Sequence, residues 1–167
     1  MKSMIFPLFI SVFYAVGLAI LGFAFWSARR STVASGWPTV PGTIESCSIA
    51  RQSDNDGGDT YEVKVRYAYT VGHTEYHGSR LAFGYMSSSG QSAHQDIHAK
   101  LKNAKSVDVR YDPADPAVST LSFGIHRSIQ TKFAFALTWL TFVIGFTVLW
   151  WIMSRPDDVL LRNLIAR

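Results

Sequence analysis

Two stretches of this chain, residues 4–26 and 133–153, contain no Asp, Glu, Lys, Arg or His. Between them they hold nine of the eleven Phe. A bilayer hydrocarbon core of about 30 Å needs roughly 20 apolar residues of helix, so either stretch is long enough to cross it. Both carry tryptophan at their ends, Trp26 in the first and Trp150 with Trp151 in the second, and indole favours the membrane–water interface. Pro7 falls in the first turn of its helix, where a missing N–H costs little. A core helix of a soluble protein is rarely so long and so uniformly apolar. A cleaved signal peptide is the rival reading of the first stretch. Its apolar core would span only about 7–15 residues, and no Ala-x-Ala spacing precedes Trp26–Ser27.

Two spans make a hairpin with both termini on one side. The predicted order is span 4–26, juxtamembrane linker 27–38, folded segment 39–123, linker 124–132, span 133–153 and an amphipathic tail at 156–167. Pro156-Asp157-Asp158 suits a helix start, and Val159, Leu160, Leu161, Leu164 and Ile165 would lie along a membrane surface. The net charge of +4 comes from the flanks, because residues 34–132 carry ten basic and ten acidic side chains. A nucleic-acid surface would need its basic excess on the folded segment, so DNA and RNA are excluded as partners. Lys2, Arg155, Arg162 and Arg167 on the terminal side weigh against Arg29, Arg30, Arg127 and Lys132 on the other. With the α-amino group added, the balance tilts towards cytoplasmic termini and an extracytoplasmic folded segment. A single cysteine, Cys47, gives no intrachain disulfide.

The folded segment reads as mainly β. Tyr61, Val63, Val65, Tyr67, Tyr69 and Val71 alternate with Glu62, Lys64, Arg66, Ala68 and Thr70, the period of a strand with one buried face. A less regular strand at 42–50 precedes it, and the run Asp54-Asn55-Asp56-Gly57-Gly58-Asp59 suits a hairpin loop. Gly72-His73 turns the chain into a strand at 74–83, and a Gly/Ser-rich loop follows at 84–92. Ala93, Ile97 and Leu101 are spaced by four, predicting a short amphipathic helix over 92–103. Further strands are expected at 107–111 and 118–123, with Pro113 and Pro116 interrupting regularity between them. Five strands and one helix predict a small barrel-like or curled sheet enclosed by a transmembrane hairpin.

No reactive constellation is compelling. His94 and His98, four apart on the predicted helix, could share a face as metal ligands, but spacing fixes no third ligand. The acidic run would need Glu at the twelfth position of a calcium loop, where Val65 stands. The serine-rich loop has neither a Gly-x-Ser-x-Gly elbow nor a phosphate cradle. Cys47 would be a nucleophile only with a histidine beside it. Neither span holds an ionisable group, the usual marker of an ion pathway. Ala15 with Ala19 and Thr141 with Gly145 are small pairs that permit close helix approach. No cofactor is expected.

The segment opens with Trp37-Pro38-x-x-x-Gly42-x-Ile44, runs through the alternating strand, and closes on Val109-Arg110-Tyr111-Asp112-Pro113-x-x-Pro116. Over about residues 1–150 this resembles the bacterial membrane proteins grouped as domain of unknown function 3592. The resemblance implies a protein of the bacterial inner membrane with a β domain beside the bilayer, and carries over no catalytic residue. The expectation is a non-enzymatic membrane protein whose domain binds a protein partner, for example an immunity protein that neutralises a toxin. Mobile polar loops on a rigid scaffold commonly carry recognition, which selects Arg51, Asp54, Asp56 and Asp59 in one loop and Tyr85, Met86 and Ser88 in the other. The rivals are a metal-dependent or enzymatic protein centred on His94 and His98, and a subunit of a larger, oligomeric membrane complex.

Overall fold

The computed structural model of the chain describes residues 2–53, 58–155 and 158–163. Along the chain run helix α1 (Lys2–Val33), a 3-10 turn (Ala34–Gly36), strands β1 (Thr39–Ser53), β2 (Asp59–Val71) and β3 (Thr74–Gly78), helix α2 (Gln91–Lys102), strands β4 (Val107–Asp112) and β5 (Asp115–Thr120), and helices α3 (Arg127–Met153) and α4 (Asp158–Asn163). They form two units, one of Met1–Gly22 with Lys132–Arg167 and one of Phe23–Thr131.

The first unit is a pair of packed apolar helices. Phe6 stacks on Trp150 with ring centres 3.9 Å apart, and Trp139 Nε1–H donates to the Phe13 carbonyl at 3.0 Å. The Tyr14 and Thr147 hydroxyls meet at 3.1 Å. The seam passes through buried Gly17, which lies under Trp139 and Leu140, whereas Ala15, Ala19, Thr141 and Gly145 all face outward. The small pairs picked out from sequence are therefore not where these helices touch. Leu8 and Phe142 are 72% and 71% exposed, and only 17% and 11% of the most apolar stretches of α1 and α3 are buried. Both helices are long and apolar enough to cross a membrane.

The second unit is built on a five-stranded antiparallel sheet of order β3-β2-β1-β4-β5. The alternation of β2 places Val63, Val65, Tyr67 and Tyr69 on its buried face, and Val65, Tyr67, Tyr69 and Val109 form the main core. The irregularity of β1 has a local cause. The register slips between Ile44 and Ser46, so Glu45 is an extra, bulged residue and Cys47 and Ile49 return to the face of Ile44. Pro116 lies inside β5 rather than ahead of it. As β5 is an edge strand, a missing ladder N–H can be tolerated there. β3 ends at Gly78, short of the expected 83, and at that last residue Tyr67, opposite on β2, lays its ring over the glycine. A side chain at 78 would fill the space of the ring.

The sheet does not close, which corrects the barrel-like expectation. No ladder joins β3 to β5 among the described residues. Instead Leu121 N–H donates to Arg80 O and Ser122 N–H to Leu81 O, so the segments leaving the two edges meet without forming a strand pair. Tyr67 Oη–H, donating to Arg80 O at 3.1 Å, reinforces that junction, as does the Thr120 hydroxyl, whose one proton is shared between Ser122 O at 2.9 Å and Leu81 O at 3.2 Å.

α1 runs past Trp26 to Val33 because its last turns have a use in this unit. Ala24, Ser27, Ser31 and Ala34 are fully buried at spacings of three and four, a stripe of small residues on one helix face. The stripe admits backbone. Ser31 Oγ–H donates to Gly124 O at 2.8 Å, and Gly124 N–H returns a bond to Ser31 O. Gly84 has φ +75, and a Cβ there would sit 2.8 Å from Ser27 Cβ, so only glycine fits on both counts. Phe83 packs edge-on against Trp26 and Trp37. Arg110 donates to Ser35 O and Trp37 O and lies over the Phe123 ring, while Asp112 pairs with Arg30 at 3.7 Å and accepts the Ala114 N–H. The base of the domain is thus locked by the Trp-Pro opening and the Arg-Tyr-Asp-Pro closing of the sequence.

Candidate functional site

Away from that base, β4 covers β1 only at residues 39–42 and β3 covers β2 only at 67–71. Residues 43–53 and 59–66 therefore continue as a two-stranded ribbon, with α2 packed on it. The 84–92 loop selected from sequence meets β2 here, at a residue just beyond the other selected stretch, 51–60. Tyr61 and Ser88 exchange both backbone hydrogen bonds, at 2.8 and 3.0 Å, fastening the 84–90 loop to the ribbon.

Near the ribbon tip Arg51 Nη2 donates to Asp59 Oδ2 at 2.7 Å. That bond raises the Arg51 pKa and lowers the Asp59 pKa, but both groups face solvent, where such a pair adds little stability. Asp54 and Asp56 lie outside the described residues. Met86 is 42% exposed and Ser88 is also exposed, while Tyr85 is half-buried.

His94, the first-turn residue of α2, is only 4% exposed and holds the loop from within. Its Nδ1 lies 2.6 Å from Tyr85 Oη and its Nε2 2.8 Å from Ser88 Oγ. Tyr85 Oη already accepts the Val63 N–H at 3.0 Å, which leaves its own proton to donate to Nδ1. A neutral His94 then carries its proton on Nε2 and donates to Ser88. Burial lowers the His94 pKa, against an opposing pull from Glu62, and burial raises that of Tyr85; both shifts favour these neutral forms. This tautomer points a proton at Ser88 instead of accepting one, the wrong direction for a serine nucleophile.

The histidine pair expected from spacing is not a pair of ligands in this arrangement. Both ring nitrogens of His94 are engaged, and His98 Nε2 lies 3.4 Å from the Cys47 carbonyl oxygen. No group of three His, Cys, Asp or Glu among the described residues could hold a metal ion. The Cys47 thiol is half-buried, which pushes its pKa up, opposite to what a reactive thiolate needs.

Beside the loop opens a groove of about 520 Å³, within the roughly 300–1,000 Å³ common for small-molecule sites. Leu81, Ile97, Leu101 and Leu121 give it an apolar floor, and Lys100 and Arg127 are exposed at its rim. The Ala93/Ile97/Leu101 stripe signalled an amphipathic helix, and its apolar face is covered only in part. Arg127 and His126 were not picked out as site residues from the sequence, since only the fold sets the start of α3 and α2 along one groove.

A family model described as Domain of unknown function (DUF3592) matches residues 40–126, more than half of the chain. The chain belongs to the DUF3592 family. Neither a curated protein nor a solved structure matches it. The DUF3592 match covers all of the sheet but Thr39, with α2 and the groove loop, and leaves out both apolar helices. Of the residues that carried the resemblance, Arg110 and Asp112 fall within the match and help build the locked base. Membership therefore speaks to fold.

Proposed function

We propose that this DUF3592 protein is a non-enzymatic binding module anchored in a bacterial inner membrane by α1 and α3, with cytoplasmic termini and the β domain outside. Its protein partner docks where the ribbon meets the 84–90 loop. The observation that carries the reading is the Tyr61–Ser88 bridge, which fastens the 84–90 loop to the ribbon one residue past Thr60. Support for the anchor comes from the outward apolar faces of α1 and α3. Support for binding over catalysis comes from the His94 hydrogen bonds, which tie up the best base in the site.

Photo-crosslinking in intact cells tests the reading. A photoreactive residue at Gln52 or at Met86 should capture the same protein, and one at Glu75 on β3 should not. Capture of a membrane-acting toxin would make the module an immunity protein. Different adducts at 52 and 86, or the same adduct at 75, would refute the shared surface. Release of the protein by carbonate without detergent would refute the anchor.

A further inference from the structure

We propose that the groove between α2 and the start of α3 holds an anionic phospholipid of the bilayer, with an acyl chain on the apolar floor and the headgroup phosphate between Lys100 and Arg127. The inference rests on the membrane half of the preceding reading and is independent of the protein partner. Three observations converge on it. Leu81, Leu101 and Leu121 pack against the domain core, and with Ile97 they stay only half-buried in the groove, a surface for hydrocarbon. Lys100 and Arg127 have no ion-pair partner among the described residues, and no carboxylate lines the groove, so the charge there is one-signed and uncompensated. Finally, Thr131 lines the groove and the charge-free run of the same helix begins two residues later at Phe133. The residues that line the groove at its α3 side and the charge-free run therefore belong to one helix, adjacent in sequence. A soluble anion would use the cations and leave the apolar floor bare, whereas an anionic lipid uses both.

The test uses the full chain reconstituted in phosphatidylcholine vesicles containing phosphatidylglycerol with a diazirine at the acyl-chain end, or the matching phosphatidylcholine probe. After irradiation, the phosphatidylglycerol probe should label α2 around Ile97 and Leu101, and the phosphatidylcholine probe should label it far less. The double substitution Lys100→Gln/Arg127→Gln should lower that labelling about tenfold, consistent with the affinity of membrane-surface cations for anionic lipid. Both side chains are exposed, so the thermal midpoint should stay unchanged and report intact folding. Leu101→Trp, which fills the groove, should also abolish labelling of Ile97. Equal labelling by the two probes, or labelling indifferent to the double substitution, would overturn the proposal. So would full competition by inorganic phosphate, which would assign the cations to a free anion. Adducts on residues 133–153 report insertion separately. Their presence without α2 adducts overturns the groove alone, and the absence of both overturns the membrane reading with it.

Discussion

The base of the β domain and its ribbon are made by neighbouring parts of the same strands, yet they are stabilised in different ways. At the base, buried aromatic rings, a small-residue stripe and arginine bonds to backbone carbonyls leave little solvent. Along the ribbon, two strands rely on each other, on α2 and on one hydrogen-bonded histidine. The contrast separates what maintains the fold from what is free to recognise. Large apolar burial contributes kilocalories per side chain, whereas an exposed ion pair contributes almost nothing.

The sharpest way to break that contrast is at Phe83, 3% exposed against Trp26 and Trp37. Phe83→Ala should cost about 3–5 kcal/mol, read as a lower unfolding midpoint of the purified protein. A small effect would mean that the base is not the foundation of the domain. Gly78→Ala should follow, at about 1–3 kcal/mol, because its methyl must displace the buried Tyr67 ring. The hydroxyl of that ring bonds Arg80 and Ser119, and burial pushes its pKa up to about 12.

The ribbon should respond to pH where the base does not. His94 is depressed by burial below its unfolded value of about 6.5, so between the two values the unfolded chain binds more protons. The contribution of His94 is therefore complete above about pH 6.5 and is lost as pH falls towards the folded value. Protonated Nδ1 can no longer accept the Tyr85 proton, so hydrogen exchange of residues 84–90 should speed up on acidification, after correction for intrinsic rates, with residues 107–112 unaffected. Tyr85→Phe removes the acceptor of the Val63 N–H as well and should cost about 1–2 kcal/mol while flattening that pH dependence. At the small end stands Arg51→Ala. It should leave the unfolding midpoint where it was, since its bond to Asp59 is in water. A large loss there would erase the distinction between base and ribbon.

Local pattern was informative wherever one element answers to its own residues. The alternation of 61–71 and the charge-free runs were readable because period and length follow from the geometry of a single strand or helix. The β1 bulge, the early end of β3 and the extension of α1 to Val33 were not readable, because strand register and strand ends are set against a paired strand and the Ser31–Gly124 bonds join positions far apart along the chain. The candidate site divides the same way. Loop residues Tyr85, Met86 and Ser88 stood out by composition, but the bond of Tyr85 to His94, and the placing of Lys100 and Arg127 along one groove, required the folded chain.

By itself, the order of amino acids determined two lipid-compatible helices, a mainly β segment between them and the residues able to turn, because these depend on contacts within a few positions. Only the tertiary structure decided that the sheet stays open, that the 84–90 loop is fastened to β2 and that a groove forms beside the start of α3. Each of those joins groups far apart along the chain, and no periodicity in a sequence encodes which distant surfaces come to face one another.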